Sequence, residues 1–294
     1  GLISMSKVVD AHLHLFRSLS DQFPRTIYPI MAEADREELA EKLLAEMAKV
    51  KVDHAIVVPL SSDDQYLSEV LASHPGKFAG VGVFDHSKPD TVDSLKQRLS
   101  ITDLQGLRFF GLEAAPDSDA TKLGCYRVLE FMAEAGLVVW FYGDLVQLAA
   151  LKKVMTLLPT LKVVLNHCGF LPDMHAEMRI DEHRRPHFDV QLPPQDFSVV
   201  EQMASQFSNL YVHFSGQYAF THNEYPYADF VEIAQRLFAA FGAQRMLMAS
   251  DWPWIEFEPG YAQALQLVDI LLPSVTPTER DAIRGATALS LFRF

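Results

Sequence analysis

His12 and His14 stand two residues apart at the end of an apolar run that begins near Val8, and Asp10 precedes them at the same spacing. Side chains alternate across a strand. If residues 8–15 are extended, Asp10, His12 and His14 face one side, while Val9, Ala11, Leu13 and Leu15 face an apolar layer on the other. Imidazoles gathered beside a carboxylate can ligate a metal, relay a proton or meet an anion. A lone His-x-His pair is equally explained by two buried histidines satisfied by hydrogen bonds, so the rest of the chain has to decide.

Eight short apolar, β-branched runs bounded by turn residues recur along the chain, at residues 8–14, 54–59, 78–84, 104–110, 137–142, 161–167, 210–215 and 245–251. Amphipathic stretches at helical period lie between them, at 36–50, 64–73, 122–135, 145–158, 227–241 and 261–271. Alternation of this kind over 294 residues predicts an α/β chain forming one domain, residues 1–294, as a closed (β/α)8 TIM-like barrel. Residues 276–291 open with Thr-Pro-Thr-Glu and read as a capped helix that closes the barrel at its C-terminal end. The connection 169–196 is too long for a plain βα loop and carries Pro172, Pro186, Pro193 and Pro194.

In such a barrel the chemistry sits at the C-terminal ends of the strands. His12 and His14 end the first strand, Arg108 lies on the fourth, His167 ends the sixth, and Asp251, followed by Trp252-Pro253, ends the eighth. By alternation His167 shares the inward face with Val163 and Leu165, while Val164 and Cys168 face the helices; a Cys168–His167 thiol pair is therefore ruled out. Arg108 offers a planar fork for a substrate carboxylate, or else an ion pair with Asp10 or Glu113. Trp140 and Tyr142 share a face of the fifth strand, and Tyr142 carries a donor for substrate. His213 and Ser215 share a face on the seventh, which makes His213 a candidate substrate contact. Arg184, Arg185 and His187 on the long connection are outer candidates for an anion clamp, against the alternative of a solvated charged loop. His175, His183, His187 and His222 read by position as surface histidines.

A net charge of −13, from 38 acidic and 25 basic side chains, opposes binding to nucleic acid or to an anionic membrane. Gly76, Gly80 and Gly82 do not form a dinucleotide turn, so no nucleotide cofactor is expected. No stretch reaches the eighteen or so apolar residues of a membrane helix, and Cys125 and Cys168 are the only cysteines. The expected compartment is the cytoplasm and the expected partner a small molecule; a homo-oligomer is left open.

Three segments together, Val9-Asp-Ala-His-Leu-His14, Val164-Leu-Asn-His-Cys-Gly169 and Ala249-Ser-Asp-Trp-Pro253, resemble the amidohydrolase superfamily, in particular its amidohydrolase-2 branch of sugar lactonases, pyrone-dicarboxylate lactonases and some decarboxylases. The resemblance extends to Gly106-Leu-Arg-Phe109 and Tyr225-Pro-Tyr-Ala228. It implies a distorted (β/α)8 barrel that hydrolyses an ester or amide, with Asp251 as the base and His12, His14 and His167 as its histidine set. The chain departs from metal-bearing members by reading Val138-Val-Trp-Phe-Tyr142 where a histidine usually ends the fifth strand. Arg108 also replaces a bridging lysine, which disfavours a binuclear centre. One divalent ion, zinc by ligand type, fits His12, His14, Asp251 and His167; a metal-free site like that of the pyrone-dicarboxylate lactonases stays open. The expected reaction is hydrolytic opening of a small carboxylated or sugar-derived lactone, hence an anionic or sugar-like substrate. A metal-dependent decarboxylase and a non-catalytic binding barrel are the alternatives.

Overall fold

The structure, a computed structural model, describes residues 6–171 and 178–294. Each of the eight apolar runs forms a strand: β1 (Val9–Leu13), β2 (His54–Val57), β3 (Phe78–Val83), β4 (Leu104–Phe110), β5 (Val138–Tyr142), β6 (Lys162–Leu165), β9 (Leu210–Phe214) and β10 (Met246–Met248). A small antiparallel hairpin, β7 (Met178–Ile180) with β8 (Pro186–Phe188), rises from the long connection before β9. Neighbouring strands in the order β1-β2-β3-β4-β5-β6-β9-β10 are all parallel, and helices alternate with them, so the chain forms the expected (β/α)8 barrel. The seam between β1 and β10 is joined just past the last strand, where Asp251 N–H donates to His12 C=O (3.0 Å) and His14 N–H donates to Trp252 C=O (2.8 Å).

Two apolar layers hold the barrel. Val9, Ala11, Val81, Trp140, Val164 and Leu247 fill its interior, with Phe292 joining them. Leu13, Leu107, Phe141, Val163 and Leu165 belong to the larger layer packed against the helices. Two expectations about facing are thereby corrected. The pairing of β1 shifts register between Asp10 and Leu13, and the extra residue breaks alternation. Asp10 consequently points away from His12 and His14, accepting from Ser250 N–H (2.9 Å), Ser250 Oγ (2.6 Å) and Tyr261 Oη (3.0 Å). On β6 the inward residue is Val164 rather than Val163 and Leu165. His167 reaches the barrel mouth anyway, because the strand stops at Leu165 and a tight turn with His167 at φ +46° and Cys168 at φ +61° redirects it.

The amphipathic stretches become helices such as Ala40–Lys49, Tyr126–Ala135 and Tyr261–Leu271. Two further helices, Val92–Ile101 and Phe197–Gln206, lie outside those stretches: the first buries only Leu95 and is started by a Thr91–Ser94 capping box, and the second buries Phe197, Val200, Met203 and Ala204. Thr276 caps the closing helix as expected, and the helix runs through Pro277–Asp281, a π-helical turn at Ala282–Ala286 and Thr287–Leu291 without a break in helical backbone. Among the described residues no helix is long and apolar enough to cross a membrane.

Candidate active site

A chain of hydrogen bonds decides which histidine nitrogens are free. His14 Nδ1 donates to Val58 C=O (3.0 Å), which leaves the lone pair on Nε2, 3.3 Å from Asp251 Oδ1. His213 Nε2 donates to Ala11 C=O (3.0 Å), so its Nδ1 accepts, from Asn166 Nδ2 (3.2 Å) and His12 Nδ1 (3.4 Å). His12 Nε2 is thus also unprotonated and lies 3.9 Å from Asp251 Oδ1. Both His12 Nε2 and Asp251 Oδ1 are buried with no hydrogen-bond partner, an arrangement that costs free energy unless something else meets them. Burial above all, with Arg108 adding for His12 and His167 for His213, pushes both imidazoles far below the ordinary histidine range and keeps them neutral.

The ligand atoms of His12, His14 and Asp251 lie within 4.8 Å of one another. Two imidazoles and a carboxylate are a catalytic-zinc donor set, whose ligand atoms stand roughly 3.3–3.6 Å apart around a tetrahedral ion. The orphaned pair and the oriented lone pairs fit one divalent cation. His167 stands beside this triad rather than within it: its Nε2 faces the other carboxylate oxygen, Oδ2, at 3.9 Å, and its Nδ1 bonds Ser215 Oγ at 2.9 Å. Burial, with Arg108 and His14 adding, lowers its pKa to about 4. Gly216 packs directly on that imidazole at φ +78°; a Cβ there would sit 2.7 Å from His167 Cβ.

Asp251 occupies the left-handed region at φ +64°, a strained setting for a non-glycine residue. Tyr218 Oη donates to its Oδ2 at 2.8 Å. Burial opposes its ionisation, but the positive charge that His167 and His14 carry when protonated, with the Tyr218 hydroxyl, draws its pKa below the ordinary aspartate value. Burial raises the pKa of Tyr28, Tyr142 and Tyr218, so all three phenols remain neutral donors. Tyr28 and Tyr218 escape sequence reasoning because they lie in connecting segments without periodicity. The one signal near Tyr218 is its short spacing from His213, Ser215 and Gly216.

The cavity over this floor has a volume of about 210 Å³ and is lined by His14, Tyr142, His167, Tyr218 and Asp251 below and by apolar side chains above. Several expected contacts lie elsewhere. Arg108 is 1% exposed and behind the floor, its Nε donating to Asn166 Oδ1 (2.9 Å) and its guanidinium stacked 4.6 Å from the Phe110 ring and 5.5 Å from that of Tyr142. Neither Asp10 nor Glu113 pairs with it; Glu113 lies near His86, and one Arg108 terminal nitrogen has no partner. The guanidinium acts instead on the Tyr28 hydroxyl, whose pKa it lowers against burial. His213 orients His12 and does not line the cavity. The outer candidates of the anion clamp do not line this cavity: Arg184 pairs with Glu33 at the surface, and Arg185 binds Asp181 and Glu258 while stacking 5.7 Å from the Tyr218 ring. His183, His187 and His222 pair with Glu182, Asp181 and Val190 C=O respectively; His175 lies outside the described residues.

A family model described as amidohydrolase matches residues 9–294. The chain belongs to the amidohydrolase family. No curated protein matches it. Among solved structures, this amidohydrolase is similar to a zinc-bound amidohydrolase from Burkholderia multivorans, at 19% identity and a TM-score of 0.73, over 97% of this chain and 99% of that one. It also resembles a candidate 2-pyrone-4,6-dicarboxylic acid hydrolase from Pseudomonas putida (18%, 0.70, 98% of each chain). A third likeness is to 5-carboxyvanillate decarboxylase from Sphingomonas paucimobilis (14%, 0.64, 98% and 99%). At these identities the likenesses establish a shared fold.

Proposed function

We propose that this amidohydrolase opens a small carboxylic ester or lactone by hydrolysis, with Asp251 as the proton carrier. The observation behind the reading is the convergence of His12 Nε2, His14 Nε2 and Asp251 Oδ1, two of the three buried without hydrogen-bond partners, at the base of an open-mouthed cavity whose floor includes His14 and Asp251. A divalent cation held by these residues, zinc by its donor set, would polarise the substrate carbonyl and lower the pKa of the attacking water. Asp251 is ionised at neutral pH and takes the water proton, then returns it to the leaving oxygen as the bond to carbon breaks. Tyr218 donates to Oδ2 and so orients the carboxylate with Oδ1 toward the two histidine nitrogens. The neutral Tyr142 and Tyr28 hydroxyls are placed to donate to the developing oxyanion, Tyr28 with Arg108 behind it.

The test is turnover of a panel of lactones and esters by zinc-loaded protein and by Asp251→Asn. Ring opening by wild type, lost in the variant, supports the proposal. Equal rates in the two proteins overturn it, and carbon dioxide release from an aromatic acid without any hydrolysis replaces it with decarboxylation.

A further inference from the structure

Above a floor that includes the Tyr28, Tyr142 and Tyr218 hydroxyls, the cavity is walled by apolar side chains from four segments. Ile30 and Met31 come from the connection after β1, Ile180 and Phe188 from the β7–β8 hairpin, and Phe220 and Trp254 from the segments after β9 and β10. Among the described lining residues Asp251 is the one with a formal charge, since His14 and His167 are imidazoles and no lysine, arginine or glutamate is present. Arg108 lies behind the floor without lining the cavity, bonded to Asn166 and acting on the Tyr28 hydroxyl, and the other nearby cations are engaged elsewhere: Arg36 with Glu38, Arg184 with Glu33, Arg185 with Asp181 and Glu258, and Arg25 with the main-chain carbonyls of Arg17, Ala32 and Glu33. At the rim Ile30 is 56% exposed and Met178 36% exposed, so apolar surface remains for a ligand to cover.

We infer that the substrate carries an alkyl or aryl group on the carbon that bears its leaving oxygen, and that polyhydroxylated and polycarboxylate lactones are poor substrates. The inference rests on the hydrolytic reading for which bond is cut, but not for what the walls accept. A second carboxylate would meet no cation among the described lining residues, and sugar hydroxyls against the upper walls would exchange water for hydrocarbon with no partners there. An apolar tail instead gains roughly fourfold in affinity for each buried methylene. The volume of about 210 Å³ falls below the roughly 300–1,000 Å³ of drug-sized pockets, so the molecule is small. A substrate with such a tail departs from the expectation of an anionic or sugar-like one.

Two arms test the inference. In the first, zinc-loaded enzyme is given γ-nonalactone, γ-butyrolactone, glucono-δ-lactone and 2-pyrone-4,6-dicarboxylate. The expected kcat/KM for γ-nonalactone exceeds that of γ-butyrolactone by about tenfold or more and those of the two polar lactones by about a hundredfold or more. Preference for either polar lactone overturns the inference while leaving hydrolysis intact. In the second arm, calorimetry measures binding of the non-hydrolysable 5-pentylpyrrolidin-2-one and of pyrrolidin-2-one to wild type, Phe188→Asp and Ile30→Lys. Tighter binding of the pentyl lactam, weakened in both variants, supports the apolar wall even if no lactone is opened, in which case only the hydrolytic reading fails. No gain from the pentyl tail overturns the inference whatever the turnover. Ile30, being largely exposed, carries the test if Phe188→Asp does not fold.

Discussion

Asp251 donates its backbone N–H to the carbonyl of His12 at 3.0 Å, while the side chains of the same two residues face each other at 3.9 Å with unpartnered atoms. The residues that close the barrel seam are thus also the residues that build the site. Ligand geometry is set by the rigid main chain of two strand ends, the arrangement that gives a catalytic group its precision.

Asp251→Asn should lower kcat by roughly 10²–10⁴-fold, the usual contribution of a general base, because the amide cannot take up a proton. KM should change little. Steady-state kinetics on an opened lactone, with circular dichroism to confirm the fold, checks this.

His12→Ala should abolish stoichiometric metal. Wild type prepared without chelators or a histidine tag should carry about one zinc per chain by elemental analysis, and the variant close to none. Asn166→Leu should weaken metal binding less, since it removes one of the donors to His213 and leaves the ligands in place.

Tyr218→Phe removes the hydroxyl that donates to Asp251 Oδ2. Hydrogen bonds to charged groups are worth about 1.5–3 kcal/mol, so kcat should fall roughly 10–100-fold. KM for the same substrate should move far less, which separates positioning of the base from loss of the cavity wall.

Asp181 fastens the hairpin that carries Ile180 and Phe188, accepting from Arg185 Nε (2.8 Å) and pairing with His187 Nε2 (2.7 Å). Burial works against its charge, but the His187 and Arg185 hydrogen bonds hold its pKa below the ordinary 3.8. A carboxylate depressed on folding contributes fully above its unfolded pKa, and the contribution is lost as pH falls below it. Amide hydrogen exchange across residues 178–188 should therefore accelerate more than in the barrel strands when pH is lowered below about 4. Asp181→Ala should show the faster exchange already at neutral pH.

Asp10→Ala should destabilise the fold by about 3 kcal/mol, because it leaves buried Ser250 and Tyr261 donors without an acceptor. Urea unfolding measures this. Burial pushes the Asp10 pKa up to about 6 against those hydrogen bonds, so its place is in the seam and not among the proton carriers.

The barrel could be read from the chain because eight apolar runs alternating with amphipathic stretches admit few other parallel arrangements. The same reasoning located His12, His14, His167 and Asp251, since strand ends in a barrel converge whatever the details of packing. Facing was a different matter. A one-residue register shift in β1 sends Asp10 to the helix side, and the turn after Leu165 brings His167 inward although its strand neighbours face outward. Alternation assumes an unbroken strand, and both residues sit where the strand is broken. The partners of Arg108, Arg184 and Arg185, and the arrival of Tyr28 and Tyr218 at the site, depend on how long connections fold over the mouth. Those paths are set by contacts between segments far apart in the chain, which no local spacing encodes. Sequence alone therefore determined the scaffold and its reactive set, while tertiary packing decided which charges were already neutralised and what kind of surface a substrate would meet.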